Sequence, residues 1–282
     1  MIAKECEHIP QGKLSRATGD DLPNELLLLI YPLLPLKALI AARGVCRRWR
    51  SLVTEADLDP ARKQLLELYL QAIETPVFLA TRPQIVPHLV HFNRQEYLDY
   101  LIQHSTAPED FKIWLLEWPG KATIEWLWPG LDVITYEMEV HGLRKLVNNG
   151  LAYDPPYVKS VTYHKRKSDI ARSHTIMHAT TYLPAGIDLP ATNEISWSDD
   201  EEMMVSVEIT TLCLRKSHVE GEPSLWLALE GRRGAEYMAG VVYLSGPSLG
   251  MQSIVARSWP EFLQMELQSA QDRWEQAGNI RA

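Results

Sequence analysis

Two histidines at a spacing that suits metal binding form the first chemically suggestive pair in the sequence. His174 and His178 stand four residues apart, which on a helix would place both imidazoles on one face, as in zinc sites. The surrounding segment, Thr175–Tyr182, is rich in β-branched side chains and predicts a strand instead. No third ligand stands at a suitable spacing. We therefore interpret both as ordinary strand histidines and expect no metal and no cofactor.

Two charged clusters could bind ligands of opposite sign. Lys165-Arg166-Lys167 is a compact basic cluster, which we interpret as a solvated turn, with binding of nucleic acid or an acidic peptide as the alternative. Ser198–Glu202 is an acidic segment that we interpret as a loop exposed to solvent. Phosphorylation at Ser196 or Ser198 is the alternative there, and it would add charge to an already repulsive run.

The remaining chemical motifs do not support an active site. Gly231-Arg232-Arg233-Gly234 is too short for a phosphate loop and lacks the strand–glycine–helix context. Ser245-Gly246-Pro247-Ser248 is typical of a turn rather than of a nucleophile elbow. No Cys–His or Ser–His–Asp arrangement follows from spacing, so we predict no catalytic residues and no enzyme.

Composition indicates a globular protein. The chain has 282 residues, of which 46% are hydrophobic and 23% charged, and this fits one or two domains. The net charge of −8 argues against general affinity for nucleic acid. The three cysteines, Cys6, Cys46 and Cys213, are odd in number and far apart, which argues against a disulfide framework and favours a reducing compartment.

The most apolar stretch is not a membrane span. Leu26–Ile40 is interrupted by Pro32 and Pro35, whereas a spanning helix needs about 20 apolar residues. The beginning of the chain has no apolar signal core. We expect no membrane partner and a location in the cytoplasm, the nucleus or both.

The elements that would position functional residues fall into a helical part and a strand-rich part. Periodicity and start signals predict helices at 61–73 after an Asp59-Pro60 cap, at Arg94–Gln103, at 108–118, and from Trp259 with Phe262, Leu263, Leu267 and Trp274 inward. Thr75–Pro87, with three prolines, is interpreted as a connector. Strands are predicted at Val158–Tyr163, Thr175–Tyr182, Met203–Leu214, Ser224–Glu230 and Ala239–Leu244. This order predicts an α+β fold with an antiparallel or mixed sheet and a C-terminal helix.

Residues 22–53 have the pattern of three short helices. Leu22-Pro23 opens the first helix, Pro35 begins the second, and Gly44 would allow a corner before a third helix with Arg47, Arg48 and Arg50 outward. Three helices in so few residues cannot bury enough surface to be stable alone. They must pack either on the rest of the chain or partly against a partner.

This segment closely resembles the F-box. The similarity runs from Leu22-Pro23-Asn24-Glu25-Leu26-Leu27 through Leu36-Lys37-Ala38-Leu39 to Val45-Cys46-Arg47-Arg48-Trp49-Arg50-Ser51-Leu52. F-box proteins dock through this motif onto the small adaptor of cullin–RING ubiquitin ligases, while a second domain holds the substrate. The resemblance implies adaptor contacts at Leu22, Pro23, Leu26, Leu27, Ile30, Leu33, Leu36, Leu39, Val45, Cys46, Trp49 and Leu52. Some of these must pack inside the module instead, and sequence does not sort them.

Residues 85–275 resemble the SUKH superfamily of α+β interaction domains. The similar segments are 107–120 around a helix start, 225–231 with 240–243 as paired strands, and 254–263 as a closing strand and helix. The resemblance brings no catalytic residues. With it, the predicted organisation is a flexible lead-in at 1–19, an F-box at 20–55, a linker helix and connector at 56–84, and a SUKH-like domain at 85–275.

The predicted function is a substrate-receptor subunit of an SCF-type cullin–RING ubiquitin ligase. Its partners would be the small adaptor and a protein substrate, with no nucleic acid. Two alternatives stay open at this stage. One is an adaptor-binding structural protein without ubiquitin delivery, and the other is an enzyme with its active site in the α+β domain.

Overall fold

The computed structural model describes residues 22–103, 105–138, 144–166, 176–181, 204–216, 223–232, 239–246 and 249–280. The helices are α1 (Asn24–Ile30), α2 (Leu36–Val45), α3 (Arg47–Glu55), α4 (Pro60–Glu74), α5 (Pro76–Ile85), α6 (Arg94–Ile102), α7 (Glu109–Glu117) and α8 (Trp259–Ile280). The strands are β1 (Ile134–Met138), β2 (Arg144–Asn148), β3 (Val158–Arg166), β4 (Ile176–Thr181), β5 (Met204–Arg215), β6 (Ser224–Arg232), β7 (Val242–Gly246) and β8 (Leu249–Ala256). Helices, then a sheet, then a helix make an α+β protein, which confirms the predicted fold class.

The main sheet is antiparallel throughout. Its six strands lie in the order β4-β3-β5-β6-β7-β8, so β5 to β8 form a meander and β3 and β4 extend the sheet beyond β5. β1 and β2 pair separately as a two-stranded antiparallel unit. The sequence left open an antiparallel or a mixed sheet, and the antiparallel arrangement is the one found.

The alternation of side chains along β5 separates two apolar clusters. Leu212 and Leu214 join the large core, whereas Cys213 between them joins a smaller cluster that contains Trp226 and Tyr243. Successive strand residues point to opposite faces, so the sheet buries apolar side chains on both.

The large core is continuous from the first helix to the last. Its buried apolar side chains run from Leu27 of α1 to Leu267 of α8. Near its centre the ring of Trp114 lies 4.9 Å from Trp128 and 4.7 Å from Trp259 between centroids, both edge to face. Offset and edge-to-face rings are the favoured aromatic packing. The three short helices therefore pack on the rest of the chain, and the predicted domain boundaries remain predictions.

Two predicted helix starts contain the acidic side chains expected there, although only Asp59 caps its helix. The Asp59 carboxylate accepts hydrogen bonds from the backbone N–H groups of Ala61 and Arg62 at 3.0 and 3.1 Å, which caps α4. Asp110, in the first turn of α7, accepts from its neighbour Phe111 at 2.8 Å and from Trp259 at 3.1 Å. Burial raises the pKa of Asp110, although these backbone hydrogen bonds oppose the shift.

The interpretation of Thr75–Pro87 as a connector is wrong, because most of it forms α5. Pro76 occupies the first turn, where its missing N–H has no helical partner. Pro83 lies near the end of the helix and has no N–H to donate to the Leu79 carbonyl, so one helical hydrogen bond is missing. Leu79 is 58% exposed, which lets water replace that bond. Burial of Val77, Phe78 and Ile85 stabilises the helix despite its prolines.

Several local expectations differ from the structure. Gly44 does not make the corner between the second and third helices: it lies inside α2, and the chain turns at Cys46, whose backbone is extended. Trp274 was expected on the inner face of α8 but is 45% exposed. Strands β1 and β2 were missing from the predicted strands, β8 was indicated only by the closing strand of the SUKH resemblance at 254–263, and β7 begins at Val242, later than expected.

Some sequence interpretations fall outside the described residues. These are His174, Lys167, Ser196, the acidic loop Ser198–Glu202, Cys6 and the predicted lead-in at 1–19. His178 lies in β4, as the strand interpretation predicted.

Candidate docking surface

The first helix and the residues on either side of it expose large apolar side chains. The exposed fractions are 37% for Leu22, 46% for Leu26, 69% for Leu29, 39% for Ile30 and 82% for Leu33. Leu26, Leu29 and Ile30 lie three and four apart on α1 and so share one face. Leu22 precedes the helix, and Leu33 lies in the 3-10 turn Tyr31–Leu33 that follows it. We call these five residues the apolar stripe. A contiguous exposed apolar surface is typical of a site that binds another macromolecule.

The opposite side of the same segment is anchored in the protein. Leu27 and Tyr31, one helical turn apart, are almost completely buried. The Tyr31 ring packs edge to face against Trp49 of α3, with 6.2 Å between centroids. Burial raises the pKa of the Tyr31 hydroxyl, and Cys46 adds to the shift. The buried side fixes the rotation of α1 and so determines which leucines face outward.

Arg48 of α3 holds the beginning of α1. Its Nε donates to the Asn24 side-chain oxygen at 2.8 Å, and another guanidinium nitrogen donates to the Leu22 carbonyl. Pro23 stands at the N-cap and supplies no side-chain cap, and Arg48, which can only donate, holds this end of the helix through oxygen atoms rather than by capping its N–H groups. Arg48 is therefore half-buried rather than outward as predicted, whereas Arg47 and Arg50 are exposed.

Glu117, at the end of α7, joins the three short helices to the rest of the chain. Its Oε2 accepts from the backbone N–H of Leu36 at 2.6 Å, which caps α2. The same carboxylate accepts two bonds from Arg62 of α4, at 2.9 and 3.2 Å. The hydrogen bond to Glu117 raises the pKa of Arg62. One carboxylate thus positions α2 against α4 and α7.

The structure sorts the twelve residues that the sequence could not. The six exposed residues are Leu22, Pro23, Leu26, Ile30, Leu33 and Val45. Two are half-buried, Cys46 and Trp49. The four buried residues are Leu27, Leu36, Leu39 and Leu52. The buried leucines pack in the large core and support the surface from behind. Leu29 is also exposed but was not among the twelve, although its position three residues after Leu26 on a helix could have indicated that it lies on the same face.

In the described part of the chain, no group of three or more His, Cys, Asp and Glu side chains is placed to hold a metal ion. Within the same ranges, no helix combines the length and apolar character needed to cross a bilayer.

Comparison with known proteins identifies one segment. The family model described as F-box-like matches residues 19–58, which include α1, α2 and α3. The chain therefore contains an F-box-like segment, as the sequence motif indicated. No curated protein and no solved structure matches the chain.

Proposed function

We propose that the protein is a substrate-receptor subunit of an SCF-type cullin–RING ubiquitin ligase, which docks the small adaptor through the apolar stripe. The observation that carries the proposal is that the five stripe residues are exposed on the segment that matches the F-box-like family. In this role the chain holds two partners close together, and the chemistry of ubiquitin transfer takes place on other subunits.

The stripe has the chemistry of an adaptor contact. Complete burial of one leucine side chain contributes about 1.5–3 kcal/mol, so the partial exposure of five such residues leaves several kcal/mol for a partner. Val45 is a further exposed apolar residue, and the cationic Arg47 and Arg50 follow it on α3. An apolar centre beside a polar rim is the usual composition of a protein interface.

Leu26→Asp tests the docking surface. Leu26 is 46% exposed in the free chain, so an aspartate there is solvated and the fold is expected to persist. In the complex the same carboxylate would be buried without a partner, at a cost of several kcal/mol, and binding would fall by about 100-fold or more. The measurement is co-purification with the small adaptor, followed by titration of the purified proteins.

Leu79→Asp is the matched control. Leu79 is an exposed leucine of α5, outside the F-box-like segment, so its substitution adds the same charge and should leave adaptor binding unchanged. Equal adaptor affinity of wild type and Leu26→Asp, with circular dichroism unchanged, would contradict the proposal.

The rest of the chain is proposed as the substrate-holding part, with residues 85–275 as a SUKH-like interaction domain. Its support is the order of elements, an antiparallel sheet closed by α8, in the segments whose sequence resembles that superfamily. The location proposed for this role is the cytoplasm, the nucleus or both. An assay of ubiquitin transfer to a bound protein distinguishes a substrate receptor from an adaptor-binding structural protein. The structural protein would bind the adaptor but would not promote the transfer.

A further inference from the structure

A groove lies in the helical part of the protein, and the residues that line it come after the F-box-like segment in the chain. Its volume is 590 Å³, and it lies between the segment that leads into α6 and the end of α7 with the residues that follow. Its lining includes the basic or imidazole side chains of His91, Arg94 and Lys121 and the apolar side chains of Val90, Leu116 and Trp128.

The groove has a charge opposite to that of the protein. The chain carries a net charge of −8, yet none of the residues that line the groove is acidic. Arg94 and Lys121 supply two positive charges, and His91 adds an imidazole donor. Such a concentration of cations on an acidic protein favours a ligand that carries negative charge.

Arg94 is held rigidly but is not neutralised. Its Nη1 donates to the carbonyls of Leu115, Leu116 and Trp118, at 3.1, 3.0 and 2.7 Å, and thereby caps the end of α7. The guanidinium carbon lies 4.8 Å from the centroid of the Trp128 ring. Within the described residues no carboxylate pairs with Arg94, and burial lowers its pKa. A preorganised arginine with unused donors can bind an anion with little loss of side-chain entropy.

The second Arg94 terminal nitrogen is the unused donor nearest to the groove. A Cβ at Gly120 would lie 3.6 Å from this Nη2 and 3.6 Å from the Trp128 indole nitrogen. Both atoms thus lie at van der Waals distance from that Cβ position, and all three residues belong to the lining of the groove.

The remaining wall is apolar and fixed. Val90 is 61% exposed, and its backbone N–H donates to the Gly130 carbonyl at 2.8 Å. Phe92 packs edge to face against Trp128, with 5.7 Å between centroids. The groove therefore combines an anion-binding arginine with a rigid surface for an apolar side chain, which is the common composition of a peptide-binding site.

We propose that this groove binds an acidic segment of a protein substrate, in which carboxylates flank a bulky apolar side chain. The carboxylates meet Arg94 and Lys121, and the apolar side chain packs on Val90 and Trp128. This assignment of the occupant as a substrate rests on the function proposed above. The binding chemistry of the groove rests on its own residues.

The test measures peptide binding to the full-length protein by fluorescence polarisation. The probe is a labelled Gly-Asp-Glu-Leu-Phe-Glu-Asp-Gly peptide, compared with one in which lysines replace the acidic residues and one in which glycines replace Leu-Phe. The acidic apolar peptide should bind most tightly, and its affinity should fall as salt rises because the attraction is electrostatic.

Substitutions at the groove should change that affinity in opposite directions. Lys121→Glu and Val90→Glu should each weaken binding by about three- to tenfold, whereas His91→Lys, which adds a positive charge to the lining without removing apolar surface, should strengthen it. Gly120→Ala adds a methyl at ordinary contact distance from Arg94 and Trp128, so it should weaken binding by covering the guanidinium without disturbing the fold. Lys63→Glu, an exposed charge reversal on α4, is the matched control and should have no effect.

The outcomes separate this proposal from adaptor docking. Equal binding of the three peptides, or equal affinity of wild type, Lys121→Glu and His91→Lys for the acidic peptide, would overturn the groove as a peptide site. Loss of adaptor binding is not expected in any of these variants, because the apolar stripe is intact. A chain that binds the acidic peptide but not the adaptor would support the groove and overturn the proposed function instead.

Discussion

Removal of the Glu117 carboxylate tests whether the F-box-like helices and the rest of the chain form one folding unit. Glu117→Ala deletes three hydrogen bonds at once, the cap on the Leu36 N–H and the two bonds from Arg62. Glu117→Gln keeps the shape of the side chain but can no longer offer two charged oxygens to Arg62. The two variants together separate loss of charge from loss of contact.

The expected cost follows from the surroundings of each partner. Leu36 is fully buried, so its N–H loses a charge-assisted bond and gains little from water, at a cost of about 1–3 kcal/mol. The Arg62 side chain is 26% exposed, so water replaces part of its interaction and the loss there is about 1 kcal/mol. We expect Glu117→Ala to lower the free energy of unfolding by about 2–4 kcal/mol and Glu117→Gln by about 1–2 kcal/mol.

Urea unfolding of the full chain measures this difference. The midpoint should fall with an unchanged slope if the protein unfolds as a single cooperative unit. Glu67→Gln, an exposed carboxylate on α4, is the control and should change stability by less than about 0.5 kcal/mol. A double-mutant cycle with Arg62→Met isolates the direct coupling between Arg62 and Glu117.

Two results would refute the reasoning. If Glu117→Ala and Glu67→Gln have the same stability, the carboxylate does not hold α2 in place. If Glu117→Ala instead produces a separate early transition for the F-box-like helices, the continuous core does not couple the two parts, and the chain folds as two units.

Three further substitutions test packing and electrostatics. Gly44→Ala should stabilise the protein by about 0.5–1 kcal/mol in thermal unfolding, since Gly44 lies inside α2 with nothing within 4 Å of an added Cβ. Gly150→Ala should destabilise the protein strongly, because the added Cβ would lie 2.7 Å from the Cys213 carbonyl oxygen. Equal stability of Gly44→Ala and Gly150→Ala would contradict both expectations. Burial lowers the pKa of Lys159 to about 8, so the unfolded chain binds more protons above that pH and this lysine should add stability as pH rises from about 8 to 10.5. Burial also raises the pKa of Cys213 to about 12, so this thiol lowers the stability as pH rises. The measurement is therefore the difference between wild type and Lys159→Met in the dependence of stability on pH. Parallel profiles of the two proteins would contradict the expectation.

The helix starts and the F-box-like segment could be predicted because their signals are local. An Asp59 cap acts on N–H groups two and three residues away, so the sequence contains everything that the contact needs. The strands at 158–166 and 204–215 were recognisable from their β-branched residues. β1 has the sequence Ile-Thr-Tyr-Glu-Met, with few features that distinguish a strand, and its pairing with β2 depends on tertiary context.

Local rules failed where distant burial outweighed them. Proline content predicted a connector at Thr75–Pro87, but Phe78 and Ile85 of α5 are buried in the core, and that burial stabilises a helix with an internal proline. Helical periodicity placed Trp274 inward, yet its side chain is 45% exposed.

The sequence by itself determined that residues 22–53 form a small apolar helical module and that an α+β arrangement follows it. Only the tertiary structure decided which leucines of the module face outward. The reason is that exposure depends on contacts between residues far apart in the chain: Glu117 caps Leu36 from 81 positions away, Trp49 of α3 packs on the buried Tyr31, and Arg48 of α3 binds the Asn24 side chain. The spacing of leucines predicts a helix with more than one apolar face, and packing against α3 selects the face that is left free.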